Sequence, residues 1–168
     1  MTTSRKIGTS WTSRPAVSRG LTFLASGCGC GYSPVAPGTV GSLPGIALFL
    51  MFRGFSPVVQ IVAFVLFTLA AIGLAERAER TSRLEDPPFV VIDEMTGMWA
   101  ALLFLWRTDW LVILLAFLLF RAFDIWKFFP LNAFEGFLGG VGIVADDLAA
   151  GMLVNLLLRA ALTFGILP

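Results

Sequence analysis

The sequence predicts an all-α protein, a membrane-embedded helical bundle with short and long apolar helices. Three observations carry this. Hydrophobic residues make up 57% of the 168 and charged residues only 14%. The mean hydropathy of +0.86 lies beyond soluble domains, in which roughly 45–50% of residues are apolar. Two apolar runs, residues 57–75 and 148–167, are each close to the ~20 residues that one bilayer crossing needs.

Taken in order, residues 1–20 are polar, with Arg5, Lys6, Arg14 and Arg19 among many Ser and Thr. They lack the apolar centre and cleavage site of a signal peptide, and read as a flexible cytoplasmic arm. Residues 21–168 form the helical membrane domain, one domain by length. Within it, residues 21–42 are rich in Gly, Ser and Pro, a loop by composition. Apolar segments follow at 40–52, 57–75, 95–106, 110–120 and 148–167. The short ones tilt, borrow neighbouring residues or lie as a shallow hairpin.

Charge orients these segments. With five crossings and a cytoplasmic N-terminus, one side holds Arg77, Arg80, Arg83, Arg121 and Lys127 together with the arm. The other side holds Arg53 and Arg107, while Arg159 falls inside the last apolar run. The same arrangement gathers Asp93, Glu94, Asp124, Asp146 and Asp147 at the cytoplasmic face. Trp99, Trp106, Trp110 and Trp126 suit either an interfacial belt or core packing.

Several chemistries are excluded. There is no histidine, so Ser-His-Asp and Cys-His nucleophile systems and phosphohistidine phosphatases are absent. Cys28 and Cys30 are the only thiols, too few for a zinc site without histidine. No Cys is followed six residues on by Arg, and no Asp-x-Asp pair follows a strand-like run. A net charge of +1 without a basic stripe gives no reason to expect nucleic acid. If the protein is a hydrolase, carboxylates and a metal must do the work.

Three stretches could supply them. In GYSPVAPGTVGS (31–42), successive backbone N–H groups before a helix could form an anion-binding nest, with Thr39 and Ser42 as hydroxyl donors. An ordinary turn and helix cap fits the same residues. In VVIDEMTGMW (90–99), the adjacent Asp93 and Glu94 either cap a helix or hold a hard cation such as Mg²⁺, which prefers oxygen ligands. Between 120 and 151, Arg121, Asp124 and Lys127 are spaced to share one helix face. Asp124 is a candidate metal ligand there, with Arg121 and Lys127 as phosphate clamps. An intrahelical ion-pair ladder is the plainer alternative. The glycines Gly139, Gly140 and Gly142 then read as a shaped loop, which delivers Asp146 and Asp147 to the start of the last helix. Glu135 reads as a solvated loop residue.

GYSPVAPGTVGS, VVIDEMTGMW, FRAFDIWK and GGVGIVADDLAAG, in this order and spacing, resemble the bacterial phosphatidylglycerophosphatase A family over residues 21–151. The resemblance implies a Mg²⁺-dependent helical phosphatase of the inner membrane. Such an enzyme removes the terminal phosphate of phosphatidylglycerophosphate to give phosphatidylglycerol. Carried over by motif, its acids are Asp93, Glu94, Asp124, Asp146 and Asp147, with Arg121 and Lys127 beside the phosphate. One departure stands after Lys127, where Phe128 and Phe129 precede Pro130 and the family usually has Pro at once.

The resulting expectation is metal-assisted hydrolysis at the cytoplasmic face, on a substrate whose acyl chains stay in the bilayer. Asp93, Glu94, Asp124 and Asp147 would hold one or two Mg²⁺ ions. Asp124, Asp146 and Asp147 are the candidate catalytic carboxylates, and the last pair would orient or deprotonate water. Thr39, Ser42, Arg121 and Lys127 would bind the phosphate. The alternatives are a membrane phosphatase or transferase on another lipid phosphate, and a non-enzymatic cation-binding membrane protein.

Overall fold

The computed structural model describes residues 16–84, 86–126 and 139–167, which form helices and turns with no strand among them. In chain order these are α1 (Ala16–Ala25), a 3-10 turn at Cys30–Tyr32, α2 (Pro37–Phe52), α3 (Pro57–Ser82), α4 (Ile92–Leu102), α5 (Trp110–Trp126) and α6 (Gly140–Thr163). Prolines set two of the starts. Pro37 and Pro57 occupy first turns, where a missing N–H removes no helical hydrogen bond. At the end of α3, Arg83 turns into the left-handed region with φ +58° and donates its N–H to the Glu79 carbonyl.

α4 is the hub, packed chiefly against α6 and α2 and touched by α3 and α5. Met98, Trp99, Ala101 and Leu102 are buried almost completely. The Trp99 ring is packed by Phe52, Phe64 and Phe67, with centroids 5.4, 5.5 and 5.6 Å away. Such aromatic pairs contribute about 0.5–1.5 kcal/mol each beyond the area they bury. Two close crossings bring backbone against backbone. Gly45 of α2 lies against the Met95 backbone of α4, and Gly151 of α6 lies against the Gly97 carbonyl of α4. A Cβ at either position would separate the helices.

The helices alternate in direction, so one end of the bundle collects the N-termini of α2, α4 and α6 with the C-terminal parts of α3 and α5. The site described below lies at that end. α3 and α6 are both long and apolar enough to cross a membrane. In the most apolar window of α3 only 17% of residues are buried, whereas a soluble core helix would be mostly buried. Val58, Val62, Leu66 and Leu69 are all at least half exposed.

The all-helical expectation holds, and the two longest apolar runs correspond to α3 and α6. Three local expectations are corrected. The Gly-, Ser- and Pro-rich stretch 21–42 is not a single loop, because α1 extends to Ala25 and α2 already starts at Pro37. The run 95–106 is helical only to Leu102. The glycines at 139–142 do not make a loop before the Asp pair. α6 begins at Gly140, whose N–H donates to Glu76 Oε2 of α3 at 2.7 Å. Gly139 takes φ +74°, and a Cβ on Gly140 would strike the Ile72 carbonyl. These glycines therefore start a helix pressed against α3. Trp99 proves to be core, while Trp106, Trp110 and Trp126 are exposed.

Candidate metal centre and phosphate site

Asp93 and Glu94 lie in the first turn of α4, and Asp146 and Asp147 lie about two turns into α6. In each helix a glycine follows an acid by four residues: Gly97 after Asp93, Gly151 after Asp147. Residues four apart sit on nearly the same helix face. The tight Gly97–Gly151 crossing therefore draws the acids one turn before it together. Ligand oxygens of Asp93, Glu94 and Asp147 come within 4.8 Å of one another.

Burial makes this trio costly. Asp93 is 7% exposed and Asp147 5%, and Glu94 is half-buried. Asp93 Oδ1, Glu94 Oε2 and Asp147 Oδ2 are buried without a hydrogen-bond partner in the protein. Burial, reinforced by the Glu94 charge, raises the Asp93 carboxyl well above its usual range. Burial likewise raises Glu94 to about 8; a hydrogen bond with Asp93 opposes this, and the charges of Asp147 and Asp124 add to it. Carboxylates forced together in this way are stabilised by a cation. Three buried oxygens with no protein donor are a fitting donor set for a hard divalent ion.

The counter-charge is Arg121. Its Nη1 lies 2.5 Å from Asp124 Oδ2, three residues along α5. The contact is an ion pair without hydrogen-bond alignment, since Nη1 and Nε both lack a hydrogen-bond partner. The guanidinium thus keeps donors in hand beside the acids. Gly38 holds it there, because a Cβ at Gly38 would run into Glu94 Oε1 and both Arg121 Nη atoms.

Around these groups is a cavity of about 600 Å³. Among the described residues its lining carries seven acids, Glu79, Asp86, Asp93, Glu94, Asp124, Asp146 and Asp147, against Arg121 alone. It also takes in Pro37 and Gly38 from the start of α2, and Gly139 and Gly142 from the start of α6. Three helix N-termini thus meet at one cavity, and none has a hydrogen bond from the side chain of its own N-cap residue. Free N–H groups and the helix dipole favour an anion at such an end.

Of the residues singled out from sequence, Asp93, Glu94, Arg121, Asp124, Asp146 and Asp147 all line this cavity. Thr39 and Ser42 do not, and the buried Ser42 hydroxyl donates to the Gly38 carbonyl at 2.8 Å. At this start of α2 it is Ala36, Pro37 and Gly38 that line the cavity. Lys127 and Glu135 lie outside the described residues. Sequence reasoning passed over Glu79 and Asp86, and read Gly38 only as part of a turn or an anion-binding nest. The run Asp86-Pro87-Pro88, a turn just ahead of Asp93, was the signal available for Asp86.

An acid cluster beside an underused guanidinium, at the mouths of three helices, is apt for phosphate chemistry of the kind a helical phosphoric monoester hydrolase performs. The family model for phosphatidylglycerophosphatase A matches residues 23–162, and the chain belongs to that family. Phosphatidylglycerophosphatase A of Escherichia coli is 35% identical over 147 residues, 84% of this chain and 83% of that protein. A candidate phosphatidylinositol-3-phosphatase of Bacteroides thetaiotaomicron is 39% identical over 146 residues, 83% of this chain and 91% of that protein. Phosphatidylglycerophosphatase A of Haemophilus influenzae is 34% identical over 132 residues, 77% of this chain and 81% of that protein. No solved structure matches the chain.

Proposed function

We propose that this protein is a Mg²⁺-dependent phosphatidylglycerophosphatase of phospholipid biosynthesis. It would hydrolyse the terminal phosphate of phosphatidylglycerophosphate to phosphatidylglycerol, at the cytoplasmic face of the bacterial inner membrane. The observation that carries this reading is the trio Asp93, Glu94 and Asp147, each with a buried oxygen that no protein donor satisfies. Asp124 stands at the edge of the trio as a further ligand. A Mg²⁺ ion held by these carboxylates would supply Lewis acidity towards the phosphoryl group and the attacking water.

The chain's own residues do the rest. Arg121 gives its free donors to the phosphate, with Lys127 as a second clamp, and the start of α2 adds backbone N–H groups. One carboxylate of the Asp146–Asp147 pair orients the attacking water and accepts its proton. The water oxygen bonds to phosphorus as the bond to the glycerol oxygen breaks, and that oxygen leaves as a hydroxyl carrying the proton the carboxylate took from the water. The apolar outer face of α3 stays in lipid, so the acyl chains need not leave the bilayer. Arg77, Arg80, Arg83 and Arg121 lie towards the site end of the bundle and Arg53 and Arg107 towards the other, which supports a cytoplasmic site.

The test is phosphate release from phosphatidylglycerophosphate in detergent micelles, with Mg²⁺, with EDTA, and with Asp93→Asn and Asp147→Asn. Release that needs Mg²⁺ and vanishes in both folded variants is expected. Full release in EDTA would sink the metal mechanism. The similarity to the candidate phosphatidylinositol-3-phosphatase favours a second reading, the same chemistry on another lipid phosphate. Phosphatidylinositol 3-phosphate in the same assay decides between the two substrates.

A further inference from the structure

α4 is 11 residues long, about 16 Å at about 1.5 Å per residue, and it stops inside the protein, where Ala100, Ala101 and Leu102 are buried. The last carbonyls of a helix have no partner within it. In an apolar setting each needs a donor from elsewhere. Here α6 supplies them. Asn155 Nδ2 lies 3.2, 3.0 and 2.9 Å from the carbonyls of Ala100, Ala101 and Leu103, sharing its two hydrogens among them. Arg159 donates through Nη2 to the Leu103 and Phe104 carbonyls at 3.1 and 2.8 Å, and through Nε to Asn155 Oδ1 at 2.7 Å.

Asp147, Gly151, Asn155 and Arg159 are spaced four apart, one slowly turning stripe along α6. The stripe joins the acid trio at one end of α4 to this clamp at the other. Between them is the Gly97–Gly151 crossing, where a Cβ on Gly151 would strike the Gly97 carbonyl and one on Gly97 would strike the Asp147 carbonyl and the Phe120 ring. That contact sets how near the helices come, and the clamp fixes the far end of α4 along α6.

We propose that Asn155 and Arg159 are positioning residues for the metal centre. By gripping the C-terminal end of α4 they fix where that helix sits along α6, and so fix Asp93 and Glu94 against Asp147. The inference rests on the metal reading of the trio and is independent of which lipid is the substrate. It also accounts for a cation within an apolar helix: Arg159 serves backbone carbonyls and is no part of an ion path.

The experiment is Mn²⁺ binding to the purified full chain in detergent, read by electron paramagnetic resonance of free Mn²⁺, with a thermal melt on each sample. Outer-shell partners that orient metal ligands are typically worth about 10–100-fold in affinity. Asn155→Leu, which keeps the volume and loses the donors, is expected to weaken Mn²⁺ binding by about tenfold or more. Arg159→Lys, which keeps the charge and loses the fork, is the second variant should Asn155→Leu not fold, and it too is expected to weaken binding. The control is Leu158→Ala, a buried α6 position outside the clamp, which should lower the melting temperature and leave the affinity alone. Wild-type affinity in a folded clamp variant would overturn the proposal, as would an equal loss in Leu158→Ala. Absence of Mn²⁺ binding in the wild type would overturn both the proposal and the metal reading. Binding that depends on the clamp, in a protein inactive on lipid phosphates, would uphold the positioning role and remove the phosphatase reading alone.

Discussion

Gly38 has no reactive group, yet the site depends on its lack of one. Glu94 and Arg121 occupy the space that a Cβ would fill, so Gly38→Ala must displace the proposed metal ligand or the proposed phosphate clamp. A displacement of about 1 Å can cost about 100-fold in rate, and that is the loss expected in kcat/KM of a variant that still folds. The trio makes a second prediction at this scale. Glu94 keeps its proton to about pH 8 in the folded, metal-free protein and loses it near pH 4.3 when unfolded. The folded state therefore binds more protons across that window, and its stability falls as pH rises through it. Thermal melts in EDTA should show this decline, and saturating Mg²⁺, which on the proposed reading binds the deprotonated acids, should reduce it.

Among the elements, the α4–α6 crossing is the contact on which the acids depend. Gly151→Ala places a methyl on the Gly97 carbonyl. Overpacking of this kind typically costs about 1–3 kcal/mol, visible as a lower melting temperature together with weaker Mg²⁺ activation. Much of this level was legible in the sequence. The pairs Asp93-Glu94 and Asp146-Asp147, and the spacing of Arg121 and Asp124, pointed to the groups that meet. What the residues alone did not reveal is where helices begin. Glycine near Asp147 reads locally as a breaker, but at Gly140 its small size admits α3, and Glu76 from 64 residues away accepts the first N–H. Ser42 was misjudged for a similar reason. Once α2 starts at Pro37, the hydroxyl turns back on the Gly38 carbonyl, a partner that only a helix provides. Arg159 stood in the sequence only as a cation inside an apolar run and Asn155 carried no signal, because the carbonyls they serve lie more than 50 residues earlier.

For the whole molecule, all five long segments bring one end to the same face, in agreement with the basic bias along the sequence. Flotation of the expressed protein with membranes, and its resistance to alkaline extraction, are the expected behaviour of a chain whose α3 turns Val58, Val62, Leu66 and Leu69 outward. Release by alkali would contradict the membrane reading.

The shortness of α4 bears on how the chain is made. α3 can enter lipid as soon as it is synthesised, but α4 leaves carbonyls bare until Asn155 and Arg159 arrive on the last helix. The hub of the protein therefore waits for its final segment, and no partial product contains a finished site. A chain interrupted before Gly140 should be an early target for quality-control proteases, with a shorter pulse-chase half-life than the full chain. Equal lifetimes would mean that α4 finds another shelter while the ribosome completes α6.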